Sequence, residues 1–320
     1  MRNKNAHHLS DSPIINKIPI ACSNEDAAVE FMESQRWGEN PQCAHCQSAN
    51  VYKMMDRKTG GRNKRYLWKC NDCAKQYTVR IGTVYEESRI PLRHWCYAFW
   101  RMATSKKGVA ALELKRQCQI SYTSALFLAN RIRFAMAPDV DTAPKLKGIV
   151  EVDEVYCGGK PRPGTGPHKR GRGTKKTPVF VAVERDGQIR RRVVADVSGA
   201  TLKGAIREFV DTNADIMSDE NTSYNGLAKE FASHESVCHG TGEYVRGDIH
   251  TNTAESSNAI IKRGLVGIYH NVSREYLHRY LWQWDFCWNN RELNDGERTI
   301  AAIKSAEGKR LMYKTPTGNP

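Results

Sequence analysis

Between residues 91 and 137, apolar side chains recur at the spacing of amphipathic helices. This pattern predicts three short helices, LRHWCYAFWRMAT, VAALELKRQCQ and YTSALFLANRIRFAM. The turn-like segment QISYT separates the last two, so helices from about Val109 and from about Thr123 have the arrangement of a helix-turn-helix. The second of them would carry Arg131 and Arg133 toward DNA. Three short helices around one core also occur in proteins that bind no DNA.

After the linker candidate PDVDTAP, the pattern changes to that of β-strands. A β-branched run, LKGIVEVDEVYCGG, precedes TPVFVAVERDGQIRRRVVADV, whose Asp186-Gly187 pair predicts a hairpin. A helix (TLKGAIREFVDTNA), a strand that enters a polar loop (ADIMSDENTSY) and a polar helix (His250 to Gly264) follow. Strand, hairpin, helix, strand, helix is the order of an RNase H-like α/β core, although other α/β folds share it.

The last predicted helix, SREYLHRYLWQWDFCWNNR, carries an apolar stripe. Its aromatic residues Tyr276, Tyr280, Trp284 and Trp288 are each four positions apart and therefore share one face. This stripe predicts packing against the sheet, with base stacking as the alternative.

The N-terminal part combines a polar tail, a capped helix and paired cysteines. Residues 1–22 predict a loose tail, and the segment from Asn24 to Gly38 predicts a short capped helix. Four cysteines follow as two CxxC pairs with 23 residues between them, each leading into a β-rich segment: Cys43, Cys46, Cys70 and Cys73. Four thiolates at this spacing predict a zinc ribbon, in which the metal replaces a core that so short a segment cannot build. The alternative is four free buried cysteines.

The amino-acid composition indicates which class of molecule the protein binds. The 320 residues contain 49 Lys and Arg against 35 Asp and Glu, a net charge of +14 with a pI near 9.3. This balance predicts a polyanionic partner, nucleic acid before an anionic membrane. No apolar run has the length of a membrane span and the N-terminus lacks the apolar core of a secretion signal. We therefore expect a soluble, intracellular protein.

A basic segment lies between the first strand and the hairpin. Lys160 to Thr177 contains seven basic residues, seven Pro or Gly and no acid, so it predicts a mobile loop that is open to phosphates. A solvated loop without a partner is the alternative. Its basic residues are Lys160, Arg162, Lys169, Arg170, Arg172, Lys175 and Lys176.

Three carboxylates fall at the ends of separate predicted elements: Asp153, Asp219 and Glu255. Oxygen ligands that converge from separate elements suit Mg²⁺ or Mn²⁺, and two such ions can support phosphoryl transfer. Lys262 follows Glu255 by two helical turns, roughly 10 Å along the same face, where it could hold a DNA phosphate. Each of these residues could also be a structural or solvated side chain.

Their neighbours have further predicted roles. Glu154 and Glu220 should point away if Asp153 and Asp219 point inward. His250 and Asn252, at the start of the polar helix, could cap it, orient Glu255 or contact DNA.

At these residues the chain resembles the ISXO2-like (IS1595-group) DDE transposases of bacterial insertion sequences. The resemblance covers nearly the whole chain beyond residue 20. The matching segments are PQCAHC, KCNDCAKQYTVRIGTVYEESRIPLRHW, TSKKGVAALELKRQ, VDEVYCGGK, SDENTSYNGL and HTNTAESSNAIIKRGLVGIYHNVSREYLHRYLWQWDFCWNNR. The family's first two acids fall on Asp153 and Asp219, its third acid on Glu255 and its following lysine on Lys262. Since some members have asparagine in place of the third acid, Asn252 or Asn258 could assist or replace Glu255.

The resemblance implies an α/β fold, an RNase H-like catalytic core preceded by a zinc ribbon and a helix-turn-helix. The predicted divisions are a tail (1–22), a helix and ribbon (23–90), a helix-turn-helix (91–137), a linker (138–146), a catalytic domain (147–295) and a C-terminal tail (296–320). The resemblance further implies Zn²⁺ in the ribbon and Mg²⁺ or Mn²⁺ at the acids. It implies that a homo-oligomer on DNA binds the terminal inverted repeats, cleaves the DNA and transfers the strands, in the bacterial cytoplasm and in association with the nucleoid. The alternatives are a DNA-binding regulator and a structure-specific nuclease on the same fold.

Overall fold

The computed structural model describes residues 13–139, 143–158 and 176–311, which form two compact units. Within these ranges the first unit comprises residues 13–105, 111–136 and 292–311. The second comprises residues 106–110 and 137–291. No helix in the described ranges is long and apolar enough to cross a membrane.

The first unit contains six helices and a small sheet among its described residues. They are α1 (Pro13–Ser23), α2 (Glu25–Trp37), β1 (Val51–Lys53), β2 (Trp68–Cys70), β3 (Gln76–Tyr77), α3 (Leu92–Thr104), α4 (Ala111–Cys118), α5 (Tyr122–Ala135) and, numbered in chain order, α9 (Asp295–Lys304). The antiparallel sheet has the order β1-β2-β3 and forms the predicted ribbon. The predicted cap of α2 is confirmed, since the Asn24 side chain accepts hydrogen bonds from the N–H groups of Asp26 and Ala27.

Both predicted tails contain helix in the described residues, which corrects the prediction. In α1, Ile18 and Ala21 are 2% and 1% exposed, and the helix packs against α2 and α3. In α9, Asn294 and Glu297 form a capping box, and the helix packs against α3. Neither helix has a long periodic pattern of apolar residues by which the sequence would reveal it. Tertiary burial of a few apolar side chains stabilises both.

The predicted helix from about Val109 begins at Ala111, and the one from about Thr123 begins at Tyr122. The arginines of α5 do not have the predicted role. Arg131 and Arg133 are 6% and 1% exposed, so neither guanidinium is presented to DNA. Arg131 donates hydrogen bonds to three carbonyl oxygens, those of Val84 and Glu86 at 2.7 Å and of Leu311 at 3.0 Å. It therefore serves the first unit as a buried cross-link of three backbone segments.

The second unit is a five-stranded mixed sheet with helices on both faces. Its elements are β4 (Ile149–Cys157), β5 (Thr177–Glu184), β6 (Ile189–Val193), α6 (Gly199–Phe209), β7 (Asp215–Ser218), β8 (Ser233–Ser236), α7 (Asn252–Gly264) and α8 (Arg274–Asn289). The order is β6-β5-β4-β7-β8, in which β4, β5 and β6 are antiparallel neighbours and β7 and β8 run parallel to β4. The hairpin predicted at Asp186-Gly187 joins β5 to β6.

Alternation along the strands divides the core into two layers. Val150, Val152 and Phe180 face α6, while Val155 and Val181 face α7 and α8. Residues of β4 with the parity of Val155, including Glu151 and Asp153, therefore lie toward α7 and α8. This parity decides which side chains can meet at the site.

The aromatic stripe of α8 packs largely as predicted. Trp284 is 4% exposed within the second layer, and Tyr280 and Trp288 pack against it. Tyr276 is 37% exposed, with the Arg279 guanidinium over its ring. Core packing is thus the role of three of the four aromatic residues.

Replacing Arg131 by alanine should destabilise the first unit. The change leaves the carbonyl groups of Val84, Glu86 and Leu311 without their charged donor, so we expect a loss of about 3 kcal/mol in the free energy of unfolding. Denaturant titration followed by circular dichroism measures it. Arg116→Ala, at an exposed position on α4, is the matched control and should leave stability nearly unchanged. Equal midpoints for the two variants would contradict the cross-link.

Candidate active site and zinc site

The candidate active site lies where β4 loses its neighbour β7. The two strands are paired only from Ile149 to Glu151 of β4, so the edge of β4 is open at Asp153. Asp219 follows directly after the last residue of β7. Since the two strands are parallel, their carboxyl ends meet at the same edge, which brings these two acids together as predicted.

Three carboxylates converge at this edge. Asp153, Glu154 and Asp219 each offer an oxygen, and these oxygens lie within 4.8 Å of one another. The prediction that Glu154 points away is wrong. The open strand edge lets side chains from both faces of β4 approach the end of β7, and Asn221 Nδ2 donates to Glu154 Oε1 at 2.7 Å.

Partial burial of this cluster makes the negative charges of its carboxylates unfavourable. Burial, and after it the charges of Asp219 and Glu255, raise the pKa of Asp153 to about 6, although hydrogen bonds from the Glu154 N–H and from Asn258 act in the opposite direction. Hard cations bind carboxylate oxygens grouped in this way, and their charge would relieve the repulsion. The donor set therefore fits Mg²⁺ or Mn²⁺.

Helix α7 supplies a buried amide to the same cluster. Asn258 is 2% exposed, and its Nδ2 donates to Asp153 Oδ2 at 2.8 Å. Its Oδ1 is also buried and accepts no hydrogen bond from any residue that the structure describes. Of the two asparagines considered from the sequence, the structure thus places Asn258 at the acids. Asn252 is exposed in the first turn of α7.

Glu255 and Lys262 lie on α7 as predicted and both are exposed. The Glu255 side chain is 49% exposed, and its Oε1 lies 3.7 Å from His239 Nδ1. Within the described ranges, Glu255 is not part of the group of acids whose oxygens lie within 4.8 Å of one another, although its charge acts on Asp153. The third acid therefore stands beside the cluster.

His239, which the structure places beside Glu255, carries no motif or spacing by which the sequence alone could single it out. Glu220 accepts hydrogen bonds from the N–H groups of His239 and Gly240 at 2.8 and 3.1 Å. Glu220 thus points away from the cluster, as expected, and fixes the segment that carries the histidine. The His239 ring also lies against that of Tyr244, with centroids 5.0 Å apart.

The other residues predicted to contact DNA differ in where the structure places them. His250 is 24% exposed at its side chain, with Nδ1 3.1 Å from Arg185 Nη2 and 3.2 Å from Glu151 Oε1. It therefore belongs to an internal polar network. Lys176 is exposed at the end of the basic segment. The other basic residues of that segment lie outside the described residues: Lys160, Arg162, Lys169, Arg170, Arg172 and Lys175.

Asn252 was also a candidate helix cap, and this prediction is wrong. The residue before the helix is Thr251, whose side chain forms no capping hydrogen bond. Asn252 is instead the first helical residue.

The ribbon brings its four cysteines together. The Sγ atoms of Cys43 and Cys73 are 3.6 Å apart, as are those of Cys46 and Cys70, and all four lie within 4.8 Å. Tetrahedral coordination with Zn–S bonds of about 2.3 Å requires sulfur separations of about 3.8 Å. The cluster therefore fits one Zn²⁺, and the small aromatic core of Trp68 and Tyr77 packs beside it.

Comparison with known proteins identifies the family. Residues 145–289 match the ISXO2-like transposase domain, and residues 23–76 match the transposase zinc-ribbon domain. The chain is 30% identical over 274 residues, 81% of its length and 88% of the relative's, to the "uncharacterized protein in transposable element ISH50" of Halobacterium salinarum. The chain belongs to the ISXO2-like transposase family. The acid cluster lies within the matched transposase domain, and the four cysteines lie within the matched ribbon.

Loss of one ribbon ligand should remove zinc from this transposase. In Cys70→Ser a buried thiolate is replaced by a weaker ligand, so we expect zinc to fall from about one ion per chain to well below that value. Elemental analysis of the purified protein measures the content, and far-ultraviolet circular dichroism reports loss of the ribbon fold. Cys287→Ser on α8 is the control and should keep the zinc. Full zinc occupancy in Cys70→Ser would contradict a four-thiolate site.

Proposed function

We propose that this transposase binds the terminal inverted repeats of its own insertion sequence, cleaves DNA there and joins the released 3′ ends to target DNA. The observation that carries the proposal is the half-buried group of Asp153, Glu154 and Asp219 at the open edge of β4, inside the matched transposase domain. A regulator that only binds DNA has no need for three carboxylates held against one another, since their repulsion disfavours the fold.

The order of strands supports an RNase H-like core for the catalytic unit. Three antiparallel strands are followed by two that run parallel to the first, and the first strand is central. The acids stand on this central strand and at the end of its parallel neighbour β7. Rigid sheet positions of this kind hold reacting groups more accurately than loops do.

The acids would serve phosphoryl transfer through two divalent cations. Bound cations would favour ionisation of the attacking water or 3′-hydroxyl and offset charge on the leaving oxygen. Asp153 and Asp219 would hold them. Glu255 would complete the site from α7, and Glu154 lies close enough to contribute an oxygen.

Asn258 would assist Glu255. Its Nδ2 donates to Asp153 Oδ2, and its buried Oδ1, which has no hydrogen-bond partner among the described residues, would accept from water or bind a cation. An amide also offers this contact without adding negative charge to the cluster. Its position on the buried face of α7 leaves Glu255, on the exposed face, accessible to DNA.

DNA binding would involve both units. The ribbon and the helix-turn-helix formed by α4 and α5 would recognise the repeats. Since Arg131 and Arg133 are buried, we assign contacts to exposed side chains at the start of α5 and on α4, namely Tyr122, Thr123, Lys115 and Arg116. The first residues of a recognition helix are those that reach base edges. The basic segment from Lys160 to Thr177 would hold the backbone without sequence preference.

The joined product requires two element ends, so we propose a homo-oligomer assembled on DNA. The same acids would act in cleavage and in strand transfer, first on water and then on the 3′-hydroxyl.

An in vitro joining assay tests the proposed function. Purified protein with Mg²⁺ or Mn²⁺ and labelled duplexes carrying the inverted repeats that flank its gene should yield joined product. Asp153→Asn should abolish the product while retaining repeat binding, because the amide removes a charge that the cations require. Specific binding by the wild-type protein without metal-dependent cleavage or joining would overturn the proposal in favour of a regulator. Cleavage without joining would favour a nuclease.

The neighbouring cations of α7 provide a matched test of the phosphate contact. Lys262 shares a face with Glu255, whereas Arg263 is rotated by one position and its Nε donates to Ala259 O at 3.1 Å. Lys262→Ala should lower the joining rate at least tenfold, roughly the value of one charged hydrogen bond. Arg263→Ala, with the same loss of net charge, should change it by less than about twofold. Equal losses would indicate a general charge effect instead.

A further inference from the structure

Glu151 is a carboxylate that the proposed chemistry does not use. It is the third residue of β4, is 0% exposed and points toward α7 and α8, as Asp153 does two residues later. An ionised carboxylate at such a depth is strongly destabilising unless its oxygens are fully hydrogen-bonded. The groups that donate hydrogen bonds to Glu151 therefore indicate its structural role.

The start of α7 provides most of those partners. Glu151 Oε2 accepts hydrogen bonds from the backbone N–H groups of Thr253 at 2.8 Å and of Ala254 at 3.0 Å. Oε1 accepts one from Thr253 Oγ1 at 3.0 Å. These N–H groups are among those that a helix leaves unpaired in its first turn. Since Thr251 makes no side-chain cap, a residue of the sheet caps the helix.

Arg185 completes the arrangement from the end of β5. Its Nε donates to Glu151 Oε1 at 2.7 Å, which neutralises the buried charge. The same guanidinium donates to the carbonyl oxygens of Asp248 at 2.7 Å and of His250 at 3.0 Å. It thereby holds the segment that leads into α7. The ion pair of Glu151 and Arg185 therefore fixes both the first turn of α7 and the segment that precedes it.

From this geometry we propose that Glu151 is a positioning residue for transposition, which fixes the first turn of α7 to β4 so that Glu255 and Asn258 stand beside Asp153. The inference rests on the proposed function for its kinetic part. Glu255 follows Ala254 directly, and Asn258 lies one turn further along the helix. Glu151, on the same face of β4 as Asp153, therefore sets the distance from Asp153 to Glu255 and Asn258 of α7.

Glu151→Gln changes the charge and keeps the size. The amide has one acceptor oxygen, so its NH₂ group must face either Arg185 or the N–H groups of Thr253 and Ala254. We expect the turnover number for joining to fall by about 10- to 100-fold, since displacement by about 1 Å can have an effect of that size. The apparent KM for repeat DNA should stay within about twofold, because the ribbon and α5 lie elsewhere in the chain.

Asp285→Asn is the matched control for stability. Asp285 is also a buried carboxylate, 6% exposed, which pairs with the Arg191 side chain and accepts from its N–H at 3.1 Å, between α8 and β6. Rates are compared per folded protein, from the folded fraction at the assay temperature. If Glu151→Gln loses no more turnover than Asp285→Asn, Glu151 is merely structural and the inference is overturned.

Hydrogen exchange on the metal-free protein tests the cap without any activity. In Glu151→Gln, the amides of Thr253 and Ala254 should exchange faster, whereas in Asp285→Asn they should exchange as in the wild type. Unchanged exchange at these two amides would overturn the cap. If wild-type protein gives no joined product, the proposed function fails, while the exchange result still decides the cap.

Thr253→Ala is the variant to use if Glu151→Gln does not fold. It removes the hydroxyl bond to Oε1 and leaves both backbone bonds in place, so turnover should fall by about three- to tenfold, the value of one hydrogen bond. Thr253→Ser keeps the hydroxyl and should restore the wild-type rate. Equal rates for the alanine and serine variants would count against the proposal.

Discussion

Two carboxylates on the same face of β4, buried Glu151 and half-buried Asp153, impose the main constraint on the α/β unit. Glu151 and Asp153 both lie toward α7 and α8, and a charge in such a layer must be compensated. Glu151 obtains this from Arg185 and from the first turn of α7. Asp153 receives two hydrogen bonds but faces the charges of Asp219 and Glu255. One acid therefore fixes the architecture, and the other retains an excess of negative charge that suits a cation.

Helix α7 connects these two roles. Its buried face carries Asn258, which bonds Asp153, and its exposed face carries Glu255 and Lys262. A single helix can thus contact the acids from within and present charged groups outward. Its position cannot depend on its own cap, since Thr251 makes none. The hydrogen bonds from its first turn to Glu151 of the sheet take the place of the missing side-chain cap.

The first unit is stabilised by different means. Its ribbon has a core of a few aromatic residues around four cysteines, a donor set that suits zinc. Its helices depend on α1 and α9, which come from opposite ends of the chain and pack against α3. Arg131 joins three backbone segments in the same unit. Long-range contacts therefore contribute to the stability of this unit in addition to the local helical pattern.

Local pattern was sufficient for four of the five strands of the core, for its helices, for the hairpin at Asp186-Gly187 and for the four cysteines, because periodicity, turn chemistry and ligand spacing are properties of short segments. It missed β8, because Ser233–Ser236 is a short polar segment whose strand is defined by its pairing with β7. The pairing of Asp153 with Asp219 also followed from the order of elements. The burial of Arg131 and Arg133 did not, since the side of a helix that becomes covered depends on segments far away in sequence. Glu154 joined the acids because β7 pairs with only three residues of β4, a matter of register that tertiary packing decides.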